Sequence, residues 1–137
     1  MENSTKEIKN YLHSDLSERI LNAFYKVYNK LGYGFLEKVY ENAIMIELRK
    51  SGLNCRQQQG VVVYYDNEEV GYYNADIIVE NKIIVELKSA EAISPEHVAQ
   101  LVNYLRATDI EVGLVLNFGK EPQSARRVLT QEYKRRD

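Results

Sequence analysis

The stretch from Ala75 to Lys88 constrains this chain more than any other. Two apolar runs, Ile77-Ile78-Val79 and Ile83-Ile84-Val85, flank Asn81. β-branched runs separated by a turn residue read as a hairpin. Side chains alternate across a strand, so Glu86 and Lys88 share one face and Ile83, Val85 and Leu87 share the other. With a three-residue loop, Val79 pairs with Ile83 and Asp76 falls opposite Glu86. Paired residues face the same way, so Asp76, Glu86 and Lys88 would then converge. A two-residue loop would set Asp76 opposite Val85 and break the cluster. Site and register therefore stand or fall together.

The remaining elements arrange themselves around this hairpin. Asp15 and Glu18 have capping-box spacing, and Ile20, Leu21, Phe24, Val27, Tyr28 and Leu31 follow at helical intervals up to Gly32 and Gly34. A second helix is expected from about Leu36 to Lys50, with Tyr40, Ala43, Ile44, Glu47 and Leu48 as its inward stripe. Glu37 precedes Tyr40 by three residues and so lies on or beside that stripe, whereas Glu41 is expected to face solvent. Val61–Tyr65, followed by Asp66-Asn67, reads as a strand and turn leading into a strand from about Val70 to Val79. Ser94-Pro95-Glu96 opens a helix whose stripe is Val98, Leu101, Val102 and Leu105. Val112–Phe118 is almost wholly apolar, as a strand buried on both faces would be. A last helix is expected over about Gln123–Lys134. The order is α-α-β-β-β-α-β-α, an α/β (α+β) fold with helices flanking a mixed sheet.

A chain of 137 residues suits one domain, here 14–137, preceded by a loose leader over 1–13. The leader lacks the apolar stretch of a signal peptide, and no apolar run is long enough to cross a membrane. The lone cysteine, Cys55, excludes an internal disulfide, gives no support to a cysteine-ligated metal centre and fits a reducing cytoplasm. The net charge of −2 argues against a broad basic surface. The local run of Arg126, Arg127, Lys134, Arg135 and Arg136 is expected to be a solvated helix face.

Two carboxylates and a lysine on an apolar hairpin call for a chemical reason. Neighbouring carboxylates repel, which raises a pKa unless a cation intervenes. Mg²⁺ resolves such a pair, because it takes oxygen ligands and binds through one or two carboxylates plus a substrate phosphate. It also acidifies water and takes up charge on a phosphoryl oxygen, where an ammonium can assist. The bland alternative is a surface pair, Glu86 and Lys88, with Asp76 solvated nearby.

The D…E-x-K hairpin, with an acid-bearing helix before it and a helix and strand after it, resembles the PD-(D/E)XK nuclease superfamily. Gly34-Phe35-Leu36-Glu37-Lys38-Val39-Tyr40 is similar to the pattern that names the GxxExxY proteins. Val85–Lys88, His97–Leu105 and Gly113–Gly119 are also similar to stretches of that family. The resemblance implies a restriction-endonuclease-like core and a Mg²⁺- or Mn²⁺-dependent nuclease acting on DNA or, second, RNA. It makes Asp76 and Glu86 the metal acids, adds the Leu87 carbonyl to the coordination and gives Lys88 the task of orienting water or stabilising charge. Glu37 would support the metal. Gln100, with Tyr104 four residues on, resembles a Q-x-x-x-Y motif that contacts the site and the nucleic acid. Ala75 stands where the superfamily pattern has proline, a position that shapes backbone rather than supplying a ligand. His97 and Tyr40 are further candidates for substrate contact, although a lone helical histidine is more often a satisfied residue, and both tyrosines read first as packing residues with hydroxyls toward the acids. Gly32-Tyr33-Gly34 lacks the spacing of a phosphate-binding loop. A homodimer would supply the two sites that cutting both strands of a duplex often needs. The rival function is a nuclease-like module that binds or assembles and cleaves weakly or not at all.

Overall fold

The computed structural model describes residues 12–134. The expected leader therefore lies outside the described residues except for its last two, as do Arg135 and Arg136. Helix α1 (Ser14–Leu31) is followed by α2 (Glu37–Lys50), β1 (Cys55–Tyr65), β2 (Glu68–Val79), β3 (Ile83–Lys88), α3 (Pro95–Arg106), β4 (Val112–Phe118), β5 (Pro122–Val128) and the short α4 (Gln131–Lys134). The strands form one mixed sheet in the order β1-β2-β3-β4-β5. β3 and β4 run parallel and the other neighbours antiparallel. A parallel pair needs a crossover, and α3 supplies it.

Each face of the sheet has its own core. Ile77, Val79, Ile83, Val85, Leu87, Leu114 and Leu116 pack with Ile20, Phe24, Tyr40, Ile44 and Leu48 of α1 and α2. Ile78, Ile84 and Val115 pack with Leu101, Tyr104 and Leu105 of α3. The strict alternation of β3 between these clusters is the period-two pattern of its sequence. β4 is buried at every position, as a central strand covered on both faces should be.

Three expectations are corrected. The segment expected to be a helix over Gln123–Lys134 is an edge strand, β5, followed by a single turn of helix, so a further strand enters the order and Arg126 and Arg127 lie on a strand rather than a helix face. Arg126 donates to the Ser17 hydroxyl (3.3 Å) and to the Leu12 carbonyl, tying β5 to the start of α1. Asp15 caps nothing: His13 occupies the N-cap in the left-handed region, without a side-chain cap, and Asp15 lies within the first turn. β1 begins at Cys55 rather than Val61, so the polar run Gln57-Gln58-Gln59 belongs to the sheet. Among the described residues, no helix is long and apolar enough to cross a membrane.

Candidate active site

The β2–β3 loop has three residues. Val79 pairs with Ile83, Ile78 with Ile84 and Ile77 with Val85. One step further the backbone ladder stops and side chains take over. Leu87 N–H donates to Asp76 Oδ2 (2.8 Å), and Asp76 N–H donates to Glu86 Oε2 (2.7 Å). The two carboxylates thus replace main-chain carbonyls where the strands part, which satisfies buried N–H groups and fixes both acids across the pair. Lys88 lies beyond them on β3, and its Nζ donates to Gln100 Oε1 of α3 at a long 3.4 Å.

Burial sets the electrostatics. Glu86 is only 4% exposed. Desolvation first, then the charge of Asp76, pushes its carboxyl up to about 8, against the opposing pull of the Asp76 N–H and Lys88. Asp76 is raised as well, again chiefly by desolvation, with Glu41 adding to the shift and the Leu87 N–H and Lys88 opposing it. Tyr104 is pushed up to about 12 by burial and by Glu86 and Asp76.

The acid that α2 brings to this place is Glu41, not Glu37. Glu37 occupies the exposed first turn of the helix, while Glu41 is 4% exposed. Gln57 Nε2 and Gln58 Nε2 donate to its two oxygens (2.6 and 2.8 Å), and Lys38 Nζ pairs with it at 2.9 Å. Gln58 also reaches Asp76 Oδ1 at 3.4 Å. It does so from φ +52°, and it drops out of the β1–β2 ladder between Gln57 and Gln59. A non-glycine residue in the left-handed region inside a strand is uncommon. Here it turns an amide between two acids. The run Gln57-Gln58-Gln59 was the sequence's one signal for this, three polar amides where a strand should alternate.

Other candidates are accounted for differently. Tyr40 is fully buried and stacks on Phe118 with ring centroids 4.0 Å apart. Its hydroxyl donates to Gly32 O (2.7 Å) and accepts from Phe35 N–H (3.1 Å), so it points at the α1–α2 turn rather than at the acids and is not available to substrate. Gly34, at φ +108°, makes that turn in a conformation other residues rarely adopt. The glycine and tyrosine of G-x-x-E-x-x-Y thus build one loop. His97 closes a capping box: its Nδ1 accepts from Ser94 N–H (3.0 Å) and its own N–H donates to Ser94 Oγ (3.2 Å), which commits one ring nitrogen.

Among the described residues, no three His, Cys, Asp or Glu side chains form a ready metal cage. The donor set nevertheless fits a hard divalent cation of the kind that takes one or two carboxylates and completes its shell with water and phosphate. Each carboxylate spends one oxygen on a backbone N–H; the other oxygens are Asp76 Oδ1, which takes the long 3.4 Å contact from Gln58, and Glu86 Oε1. Burial penalises the charged carboxylates, a cost that a cation would offset.

A sequence model of the PD-(D/E)XK nuclease superfamily matches residues 14–128. The chain belongs to that superfamily. No curated protein matches it in sequence. Among solved structures, the crystal structure of SSO0001 superposes with a TM-score of 0.53 at 15% identity, over 72% of this chain and 54% of that one. The likeness is one of fold, and this chain spans about half the length of SSO0001.

Proposed function

We propose that the protein is a divalent-metal-dependent nuclease that hydrolyses phosphodiester bonds, with DNA the first substrate to try and RNA the second. The observation that carries this reading is the reciprocal locking of Asp76 and Glu86 across the parted strands, with Lys88 on the next outward position of β3. Asp76 and Glu86, with the Leu87 carbonyl, would hold Mg²⁺ or Mn²⁺. Such a cation supplies a more acidic water and a Lewis acid for a phosphoryl oxygen. Lys88 then binds a non-bridging phosphate oxygen and stabilises charge as it develops. Gln100 keeps the Lys88 ammonium over the site. Glu41, rather than Glu37, is the helix acid of this reading, and with Gln58 it holds the outer side of Asp76. The G-x-x-E-x-x-Y stretch from Gly34 to Tyr40 supports reading the protein as one of the GxxExxY branch.

The test is a cleavage assay on single- and double-stranded DNA and RNA with either metal, using wild type, Asp76→Asn, Glu86→Gln and Lys88→Ala, each shown to be folded by circular dichroism. The expected loss is about a hundredfold or more for each variant. Cleavage that persists in Asp76→Asn and Lys88→Ala would remove the mechanism.

A further inference from the structure

The β1–β2 hairpin reaches well past the rest of the sheet. Only Ile77–Val79 of β2 pair with β3, whereas β1 and β2 stay paired out to Tyr65 and Glu68. This arm leans over α3. A cleft lined by Tyr64, Tyr73, Asn103 and Arg106 adjoins a second one lined by Tyr73, Asn103, Gln100 and Tyr104. Val63, Tyr73 and Asn103 line both, so the two adjoin as a groove between the arm and α3. Its inner end is Gln100, the residue bonded to Lys88.

The walls set exposed aromatic rings among aliphatic side chains, Val62, Val63 and Val70. Tyr64 is 64% and Tyr73 50% exposed, and Tyr73 packs obliquely on Tyr104 with ring centroids 5.8 Å apart. A β-bulge between Val63 and Tyr64 breaks the regular alternation at the outer end, and bulges re-aim side chains. Cations are scarce here. Arg106 is the cation of the lining, Glu96 lies at the inner end, and Asp66, Glu68 and Glu69 surround the hairpin tip.

This combination selects among nucleic acids. A duplex hides its base faces and is held mainly through its phosphates, which demands several lysines or arginines. A single strand offers base faces, and exposed aromatic rings bind these with little regard to sequence. We infer that the groove between the β1–β2 hairpin and α3 holds an unpaired stretch of nucleic acid, stacked on Tyr64 and Tyr73, and feeds it toward Lys88. This rests on the nuclease reading and narrows its substrate to single-stranded or frayed ends.

The experiment measures fluorescence anisotropy of a labelled oligothymidylate and of a duplex of equal length, with the full chain in chelator so that nothing is cut. The single strand is expected to bind at least tenfold more tightly. Tyr64→Ala and Tyr73→Leu should each weaken it by roughly five- to a hundredfold, the worth of one stacked base, while Tyr73→Phe keeps it. Duplex binding equal to single-strand binding, or unchanged affinity in Tyr64→Ala and Tyr73→Leu, overturns the inference. So does a fall in oligomeric mass in Tyr64→Ala with affinity retained, which would make the arm an interface between copies. The two readings fail separately. Duplex cleavage lost in Lys88→Ala but untouched by the tyrosine variants sinks the groove alone; tyrosine-dependent binding with no cleavage under any metal sinks the nuclease alone.

Discussion

A carboxyl that ionises only near pH 8 inside a folded protein makes the fold pH-sensitive in an unusual direction. Glu86 is held there mainly by desolvation, with Asp76 second. In the unfolded chain it returns to the ordinary value of 4.5. Between these two values the native state keeps a proton that the unfolded state has lost, so stability falls as pH rises across the window and levels off above it. Asp76, raised by the same cause, adds to the fall at the acidic end. At ~1.4 kcal/mol per unit, the whole loss is a few kcal/mol at most. Urea midpoints in chelator at pH 5, 6.5 and 8 should therefore decline for wild type and decline less for Glu86→Gln, in which only the Asp76 contribution at the acidic end remains. A rising series in wild type would contradict the buried, proton-holding Glu86. Gln58 offers a second residue-scale prediction: Gln58→Ala strips donors from Glu41 and Asp76 and should lower cleavage more than it lowers the melting temperature. Asp76, Glu86 and Lys88 could be grouped from the sequence because strand alternation puts Glu86 and Lys88 on one face, but the sequence left a two- or a three-residue loop open, and only the three-residue loop seen in the structure sets Asp76 opposite Glu86. Glu41 could not be grouped with them. Helix α2 begins at Glu37, so its inward arc runs through Tyr40, Glu41, Ile44, Met45 and Leu48, and a buried acid inside such an arc looks from sequence like the polar edge.

At the scale of elements, α3 is seated by an absence. A side chain on Gly113 of β4 would bring its Cβ within 2.5 Å of Leu101 Cδ1 and 2.9 Å of its Cγ. Leu101 is fully buried and has nowhere to retreat. Gly113→Ala should therefore cost about 1–3 kcal/mol by overpacking. It should also lift α3 from the sheet and with it Gln100, so cleavage should drop further than the stability loss alone explains. A variant as stable and active as wild type would show that α3 can shift freely. The loop after Lys88 is pinned just as locally. Asn117, fully buried on β4, accepts from Ala90 N–H and donates to Ala90 O, both at 2.9 Å. The apolar run of β4 announced this strand plainly. β5 escaped notice because it is an edge strand whose burial alternates poorly and whose residues, Gln123-Ser124-Ala125-Arg126-Arg127, carry no strand signal of their own. Its conformation comes from antiparallel pairing with β4 across the tight turn at Gly119-Lys120-Glu121, where the pairing partner outweighs weak strand propensity.

Over the whole molecule, the proposed site lies where the sheet's order ends. Two cores clamp the middle of the sheet, one under α1 and α2 and one under α3. The strands part at Asp76 and Glu86, and acids from β2, β3 and α2 gather in the opening. Without a cation this gathering stores repulsion and desolvation that the two cores must outweigh. A cation that binds the native state alone returns that energy, by about 2.7 kcal/mol at a concentration a hundredfold above its Kd. For a domain of this size that amounts to a rise in Tm of roughly 10 °C. Mg²⁺ or Mn²⁺ titrated into the metal-free protein at pH 8, where Glu86 gives up its proton most readily, should raise the Tm of wild type, and the gain should shrink at pH 6, where protons compete for the same oxygens. Asp76→Asn should respond little at either pH. Calorimetry with Ca²⁺ beside Mg²⁺ and Mn²⁺ separates a site from a general ionic effect, because screening of the surface would move all variants alike. A Tm indifferent to all three ions in wild type would mean that the acids are balanced by their amide and backbone donors alone, and metal-dependent cleavage would lose its footing.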